Sequence, residues 1–101
     1  MTLQEFNRLL ETTGYPVAFR EFPVPQEPPF LIYVTPETDN FSADGKVYSR
    51  SQIVQVELYT KEKDESATEK VRTALADFYY TEEEGYIKSE RVYMVAFRIT
   101  L

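Results

Sequence analysis

The sequence predicts an α+β fold, a single domain over residues 1–101 in which a mostly antiparallel sheet of four to five strands is packed by two helices. Three observations predict this fold. Two segments repeat apolar residues at helical spacing, and several others alternate apolar with polar residues as half-buried strands do. The elements follow the order helix, several strands, helix, strand. A length of 101 residues suits one domain with one core.

The first helix is predicted from Leu3 to Thr13. Thr2 and Glu5 have the spacing of a capping box, in which each side chain bonds the other residue's backbone N–H. Apolar side chains then recur at helical intervals. Gly14, which tolerates a left-handed backbone, and Pro16, which cannot continue a helix, indicate where the helix ends. The next segment, "PVAFRE", predicts a short strand.

The stretch "EFPVPQEPPFLIYV" places four prolines before the most apolar short run of the chain. It can be a proline-rich ligand, a linker between domains or a stiff lead into a strand. Pro25 and Pro28 form a PxxP pattern, but no basic residue lies between Arg20 and Lys46 to flank it. The segment before it is too short for a domain, so a stiff connector is favoured. "FLIYVT" then predicts a strand apolar enough to be covered on both faces.

The segment "PETDNFSADGK", residues 36–46, is rich in turn-forming residues and predicts a long polar loop. Asp44 and Gly45 form the strongest short hairpin signal, so we expect the loop to end in a tight turn. From Val47 the chain is expected to extend again. "QIVQVELYT" alternates apolar and polar residues, as a half-buried strand does.

The second helix is predicted from a repeat of the capping-box spacing at Ser66 and Glu69. Apolar residues from Ala67 to Phe78 form a helical stripe that we expect to pack on the sheet. The following "TEEEG" is interpreted as a solvated turn, because adjacent like charges favour water. The last segment, "YIKSERVYMVAFRITL", alternates between two faces and predicts a final strand.

Composition argues against several classes of protein. Seventeen acidic and eleven basic residues give a formal charge of -6, which repels phosphates, so specific nucleic-acid binding is not expected. The absence of cysteine excludes a disulfide framework and a cysteine-based zinc site. The longest apolar run is about five residues, far below the ~20 that span a membrane, and no signal-peptide pattern is present. We therefore expect a soluble cytosolic protein.

The residues that could carry chemistry are carboxylates, because the sequence contains neither histidine nor cysteine. Glu82, Glu83 and Glu84 are adjacent, which is typical of a solvated segment rather than a metal site. Asp39 and Asp44 lack the alternating ligand spacing of a calcium loop. No phosphate loop or dinucleotide fingerprint is present. We therefore expect no catalytic residue, no metal, no cofactor and no enzymatic activity.

Large aromatic residues in polar surroundings supply the candidate interaction residues. Six tyrosines between Tyr48 and Tyr93 exceed what one small core holds with satisfied hydroxyls, so some are expected at its margin or at interfaces. Ordinary amphipathic tyrosines at sheet edges fit the pattern equally well. Phe41 is the single large apolar residue of the predicted loop, and it either folds back onto the domain or anchors the loop on another subunit. The candidate interaction residues are Phe41, Asp44, Tyr48 and Tyr59.

Three motifs, "PPFLIYV", "DNFSADGKVY" and "VELYTKEKD", resemble a family of small proteins encoded in siphophage and prophage clusters between head and major tail genes. In that family a proline-preceded apolar strand leads to a loop with "NF" and an aspartate. "KVY", a strand ending in "LYTK" and a capped helix follow. The matching positions are Pro28, Pro29, Phe30, Asn40, Phe41, Asp44, Lys46, Val47, Tyr48, Leu58, Tyr59, Thr60 and Lys61.

The family looks like the tail-completion or tail-terminator group, whose better-known members form hexameric rings that cap the tail tube and join it to the head. The resemblance implies a structural protein that self-associates into a ring and binds the major tail protein and head–tail connector proteins. It also implies a place in the host cytoplasm during assembly and then in the tail or neck of the virion. A ring around passing DNA gains from an acidic lumen that does not hold phosphates.

Two other interpretations remain open from the residues. One is a stand-alone acidic interaction module of the antitoxin or inhibitor type, which covers a basic partner. The other is a carboxylate-dependent hydrolase. A stable stoichiometric complex with one basic protein would indicate the first, and metal-dependent activity would indicate the second.

Overall fold

The computed structural model describes the backbone of residues 1–36, 38–43 and 46–101 and the side chains of residues 1–36 and 52–101. The elements are α1 (Leu3–Glu11), β1 (Val17–Phe19), β2 (Phe30–Val34), β3 (Thr38–Ala43), β4 (Lys46–Thr60), α2 (Glu65–Ala74), β5 (Tyr80–Ile87) and β6 (Val92–Thr100). The sheet has the strand order β1-β2-β4-β6-β5, with β3 paired to β4, and among these described strands only the β1–β2 pair is parallel. The predicted α+β class, with a mostly antiparallel sheet and two helices, is confirmed.

Helix α1 begins with the predicted capping box. The Thr2 N–H donates to Glu5 Oε1 over 3.0 Å, and the Glu5 N–H donates to Thr2 Oγ1 over 3.1 Å. The helix ends at Glu11, two residues before the predicted end, and the Thr13 hydroxyl donates to a carbonyl of the last turn over 2.7 Å. Gly14 has the expected positive φ of 86°. Side-chain bonds to the last carbonyls therefore end the helix before the glycine.

The proline-rich segment connects two parallel strands. Residues 20–29 form neither helix nor strand, and β1 pairs with β2 so that Val17 lies opposite Leu31. The predicted connector is thus confirmed. Within it, the Phe22 ring meets Phe30 edge-on, with centroids 5.3 Å apart. Leu31 is buried, whereas Phe30 faces the other side of the sheet, so the connector packs against that second face.

Strand β4 is much longer than predicted, and its first half forms a ribbon with β3. Residues 38–43 were expected to be a polar loop, which is wrong, because they pair with β4 from Thr38 opposite Gln52 to Ala43 opposite Lys46. Backbone pairing here outweighs the weak strand preference of Asp, Asn and Ser. The predicted tight turn at Asp44–Gly45 lies outside the described residues. We call β3 and residues 46–52 of β4 the ribbon.

The second half of the chain contains two further corrections. Helix α2 is capped by Asp64, whose carboxylate accepts the Ala67 N–H over 3.0 Å, and not by Ser66, which lies within the helix. The expected solvated turn at "TEEEG" is wrong, because these residues lie inside β5 and pair with β6. Backbone pairing therefore decides the structure of this segment against the poor strand preference of glutamate. The predicted final strand begins at Val92 as β6, and it alternates as expected.

Both helices cover the same face of the sheet. The core on that face joins side chains from α1, α2, β2, β4 and β6. No helix or strand of the described residues covers the other face, which we call the open face. No described helix is long and apolar enough to cross a membrane. The buried apolar residues are Phe6, Leu10, Leu31, Tyr33, Val54, Val56, Leu58, Ala67, Val71, Leu75, Val95, Phe97 and Ile99.

Candidate protein-interaction surfaces

The open face is apolar at the end nearest β2. The Phe30 and Tyr59 rings stack there, with centroids 5.0 Å apart and planes 20° from parallel. Phe22 closes the cluster from the connector, and all three side chains are half-buried. Partly exposed aromatic clusters of this kind are typical of protein interfaces. The predicted interaction residue Tyr59 therefore has Phe22 and Phe30 beside it, which the sequence analysis did not count as interaction residues.

Polar side chains next to this cluster form a fixed network. The Tyr59 hydroxyl donates to Glu57 Oε1 over 2.9 Å, and Gln55 Nε2 donates to Glu57 Oε2 over 2.9 Å. Burial, together with the Glu57 carboxylate, raises the pKa of Tyr59, so its hydroxyl stays a donor at neutral pH. Both oxygens of Glu57 are occupied by neutral donors. The hydrogen bonds of Glu57 are satisfied but its negative charge is not neutralised by these donors, so a partner that covers this surface would have to supply a cation or further donors.

The outer edge of β5 is a second surface. β5 pairs with β6, and no other strand of the described residues lies on its far side. Over eight residues, alternate backbone N–H and C=O groups therefore point away from the sheet without a strand partner. Its three consecutive glutamates alternate between the two faces, so they do not converge on one ion. In the described part of the chain, no three carboxylates are placed to hold a metal.

On the helix side, two cations tie α2 and its preceding turn to β5. Arg72 donates to both oxygens of Glu82, over 2.7 Å from Nε and 2.9 Å from Nη2, and its Nη1 lies 3.2 Å from Glu69 Oε2. The Lys63 ammonium lies 3.4 Å from Glu84 Oε1. The Arg72 guanidinium lowers the pKa of Glu82, and the Glu84 carboxylate raises the pKa of Lys63. These contacts hold the edge strand in place.

Glu83 points to the open face, where β5 places it opposite Ala96. It lines a shallow groove together with Gln55 and Arg98, and it has no ion-pair partner among the described side chains. The neighbourhood of β5 keeps an excess of negative charge. Five carboxylates (Glu65, Glu69, Glu82, Glu83 and Glu84) stand against three cations (Lys63, Arg72 and Arg98).

The structure does not bring the four candidate interaction residues together. By their backbones, Phe41 lies in β3 and Tyr48 in β4, so both belong to the ribbon. Asp44 lies outside the described residues. Tyr59 lies on the open face, about 36 Å further along β4 than Tyr48 at ~3.3 Å per residue. The candidates therefore belong to two surfaces, and the acidic β5 edge, which the sequence analysis interpreted as a turn, is a third.

The expectation that some tyrosines lie at the margin of the core is confirmed. Tyr79 is 96% exposed and Tyr86 is 54% exposed. Tyr80 packs against the core, and Tyr33 is buried with its hydroxyl donating to Asn7 Oδ1 over 2.9 Å. The tyrosines thus divide between the core and the surface, and Tyr86 is exposed although it lies on the same side of β5 as Tyr80.

Known proteins do not identify the family of this chain. Neither a scan against models of protein families nor a search of curated proteins finds a match. The interaction surfaces therefore carry the functional argument together with the sequence motifs.

Proposed function

We propose that the protein is a structural assembly protein of a phage or prophage tail, which forms a ring at the end of the tail tube and joins it to the head. It acts by binding copies of itself, the major tail protein and the connector, and it catalyses no reaction. The proposal combines the sequence resemblance with one structural observation, the ribbon that extends β4 beyond the sheet.

The ribbon supports an assembly role because, among the described strands, residues 46–52 and β3 pair only with each other. Residues 53–60 of β4 pair with β6, and the last bond on that side is from the Leu101 N–H to the Gln52 carbonyl, over 2.9 Å. Residues 46–51 pair with β3 only. A two-stranded ribbon is marginally stable by itself in water, and its outer edges are unpaired. A neighbouring subunit or tail protein that packs on the ribbon would supply both missing contacts.

The net charge of the protein and the aromatic cluster on its open face are consistent with this role. A net charge of -6 keeps the protein from holding DNA that passes through a ring. The aromatic cluster around Tyr59 offers a second contact surface, at the opposite end of β4 from the ribbon. A subunit with contact surfaces at both ends can bind one neighbour at each, which a ring requires.

Sedimentation velocity over a range of concentrations, with and without purified tail-tube protein of the same phage or prophage, tests the proposal. We expect ring-sized oligomers and, by electron microscopy of negatively stained samples, caps at the ends of tubes. A protein that remains monomeric and binds no tube contradicts the proposal. A stable one-to-one complex with a basic protein would instead indicate the antitoxin or inhibitor type of module.

Substitution of Phe41 tests whether the ribbon contributes to ring formation. We expect Phe41→Ala to leave the melting temperature of the dilute monomer unchanged and to abolish ring formation or tail joining, because buried aromatics dominate interface energies. Tyr79→Ala is the matched control, since Tyr79 is 96% exposed and lies outside the ribbon. If Phe41 instead packs on its own domain, its truncation would destabilise the monomer by ~3 kcal/mol or more, and the anchor role would be wrong.

A further inference from the structure

We infer that the subunits join by strand addition: the outer edge of β5 in one copy pairs with the free edge of residues 46–51 of β4 in a second copy. This inference rests on the proposed self-association and names its surfaces. The two edges are of similar length, with eight residues in β5 and six in the ribbon.

Both edges are unpaired for the same structural reason. In the main sheet β6 lies between β4 and β5, so it occupies one edge of each strand. Past Gln52 the pairing with β6 stops, and β4 keeps only β3 on its other side. The edge that β6 leaves open on the ribbon therefore has room for one more strand. β5 of the same copy lies one strand away from β4 behind β6, so the added strand comes from another copy.

Opposite charge on the two edges favours this pairing. The segment "KVYSRS", residues 46–51, contains Lys46 and Arg50 and no acidic residue, whereas β5 contains three glutamates and no basic residue. Of those glutamates, Glu83 has no ion-pair partner among the described side chains, and the neighbourhood of β5 keeps more carboxylates than cations. Facing edges of opposite charge attract, and complementary charge also sets which surfaces meet.

The same charges disfavour the symmetric alternatives. Two β5 edges paired with each other would bring two sets of glutamates together, and two ribbon edges would bring their cations together. The favoured contact therefore joins different surfaces of two copies. Such head-to-tail contacts close into rings when the rotation between copies permits it. The closed ring leaves neither edge unpaired.

Two substitutions, each of which reduces the charge of one edge, test the inference. Glu83→Lys makes the β5 edge less acidic without touching the Arg72 contact, and Arg50→Glu reduces the positive charge of the ribbon. We expect each variant alone to lower the self-association constant by about tenfold or more in sedimentation velocity, with an unchanged melting temperature. Glu21→Lys and Arg8→Glu are matched controls, because they make the same charge changes at exposed positions away from both edges.

Mixing the two variants gives the decisive result. In an equimolar mixture the unchanged β5 edge of Arg50→Glu meets the unchanged ribbon edge of Glu83→Lys, so we expect the two variants to associate as one-to-one pairs. Variants that associate like the wild type, or a mixture that stays dissociated, overturn strand addition between these edges. A wild-type protein that is monomeric with and without tail-tube protein overturns the proposed function as well, so the two failures are distinguishable.

Discussion

Replacement of Phe6 by alanine tests how α1 is held on the sheet. Phe6 is fully buried and makes edge-to-face contacts with Tyr33 of β2, at 6.1 Å between centroids, and with Phe78 after α2, at 6.0 Å. The ring thus joins both helical regions to the sheet. Truncation of a buried phenylalanine costs 3–5 kcal/mol through lost burial and the cavity that remains, so we expect a loss of about 4 kcal/mol.

This loss is large for a domain of 101 residues, whose free energy of unfolding is expected at roughly 5–15 kcal/mol. With a urea slope of ~1.5 kcal/mol/M, the unfolding midpoint should fall by about 2.5 M while the slope stays unchanged. Urea unfolding followed by circular dichroism at low protein concentration measures both quantities. Low concentration keeps self-association out of the comparison.

Phe19→Ala is the matched control. Phe19 is 40% exposed, and its ring contacts Tyr33 at 5.3 Å and the exposed Arg20 guanidinium at 5.5 Å, so we expect a loss of only about 1.5 kcal/mol from its partial burial. If Phe6→Ala costs no more than Phe19→Ala, α1 does not pack on the sheet through Phe6, and the description of the core is wrong.

Two further predictions concern α2 and β5. Asp64→Ala should lower stability by about 1 kcal/mol in urea unfolding, whereas Ser66→Ala should change it little, because Asp64 supplies the cap; equal losses would contradict this assignment. Arg72 lowers the pKa of Glu82 in the folded state, so this pair stabilises the fold above the usual glutamate pKa and its contribution disappears as the pH falls through the lowered value. Stability of the wild type should therefore fall more steeply below about pH 4.5 than that of Glu82→Gln.

The elements that the sequence predicts well are those with one face buried on the core. The capping box at Thr2 and Glu5 is local, so spacing alone identifies it. Alternation identifies the second half of β4 and β6, because residues such as Val56 and Phe97 are fully buried while their neighbours are not; β2 was expected to be covered on both faces, but only its Leu31 and Tyr33 side is buried. In each case the signal lies within a few residues of the chain.

The elements that the sequence misses depend on partners distant in the chain. β3 and β5 contain Asp, Asn and Glu, which disfavour strands, and they become strands because β4 and β6 offer them backbone partners. Glu82 and Glu84 find cations on α2 and before it, which no local pattern shows. The choice of Asp64 over Ser66 as the cap depends on backbone geometry, since both side chains can accept the bond.

Prediction of the candidate interaction residues from the sequence has the same limit, because it depends on strand pairing between distant parts of the chain. Aromatic and polar composition indicates Phe41, Tyr48 and Tyr59, yet only the strand pairing shows that the first two belong to the ribbon and the third to the open face. The sequence does not identify the β5 edge as an interaction surface, because a run of three glutamates is typical of a solvated turn. The available signal for a strand was Tyr80 and Ile87, which lie at its two ends and are residue types that favour strands.

The length of β4 separates stability from assembly in this fold. Its fifteen residues span about 48 Å at ~3.4 Å per interval, which equals the longest dimension of 48 Å for the domain. Val54, Val56 and Leu58, in its second half, are in the core, whereas residues 46–51 pair only with β3. Because the described core residues of β4 lie in its second half, we expect substitutions in the ribbon to change partner binding more than folding. Under the proposed function, the ribbon is therefore where assembly specificity can vary while the domain stays the same.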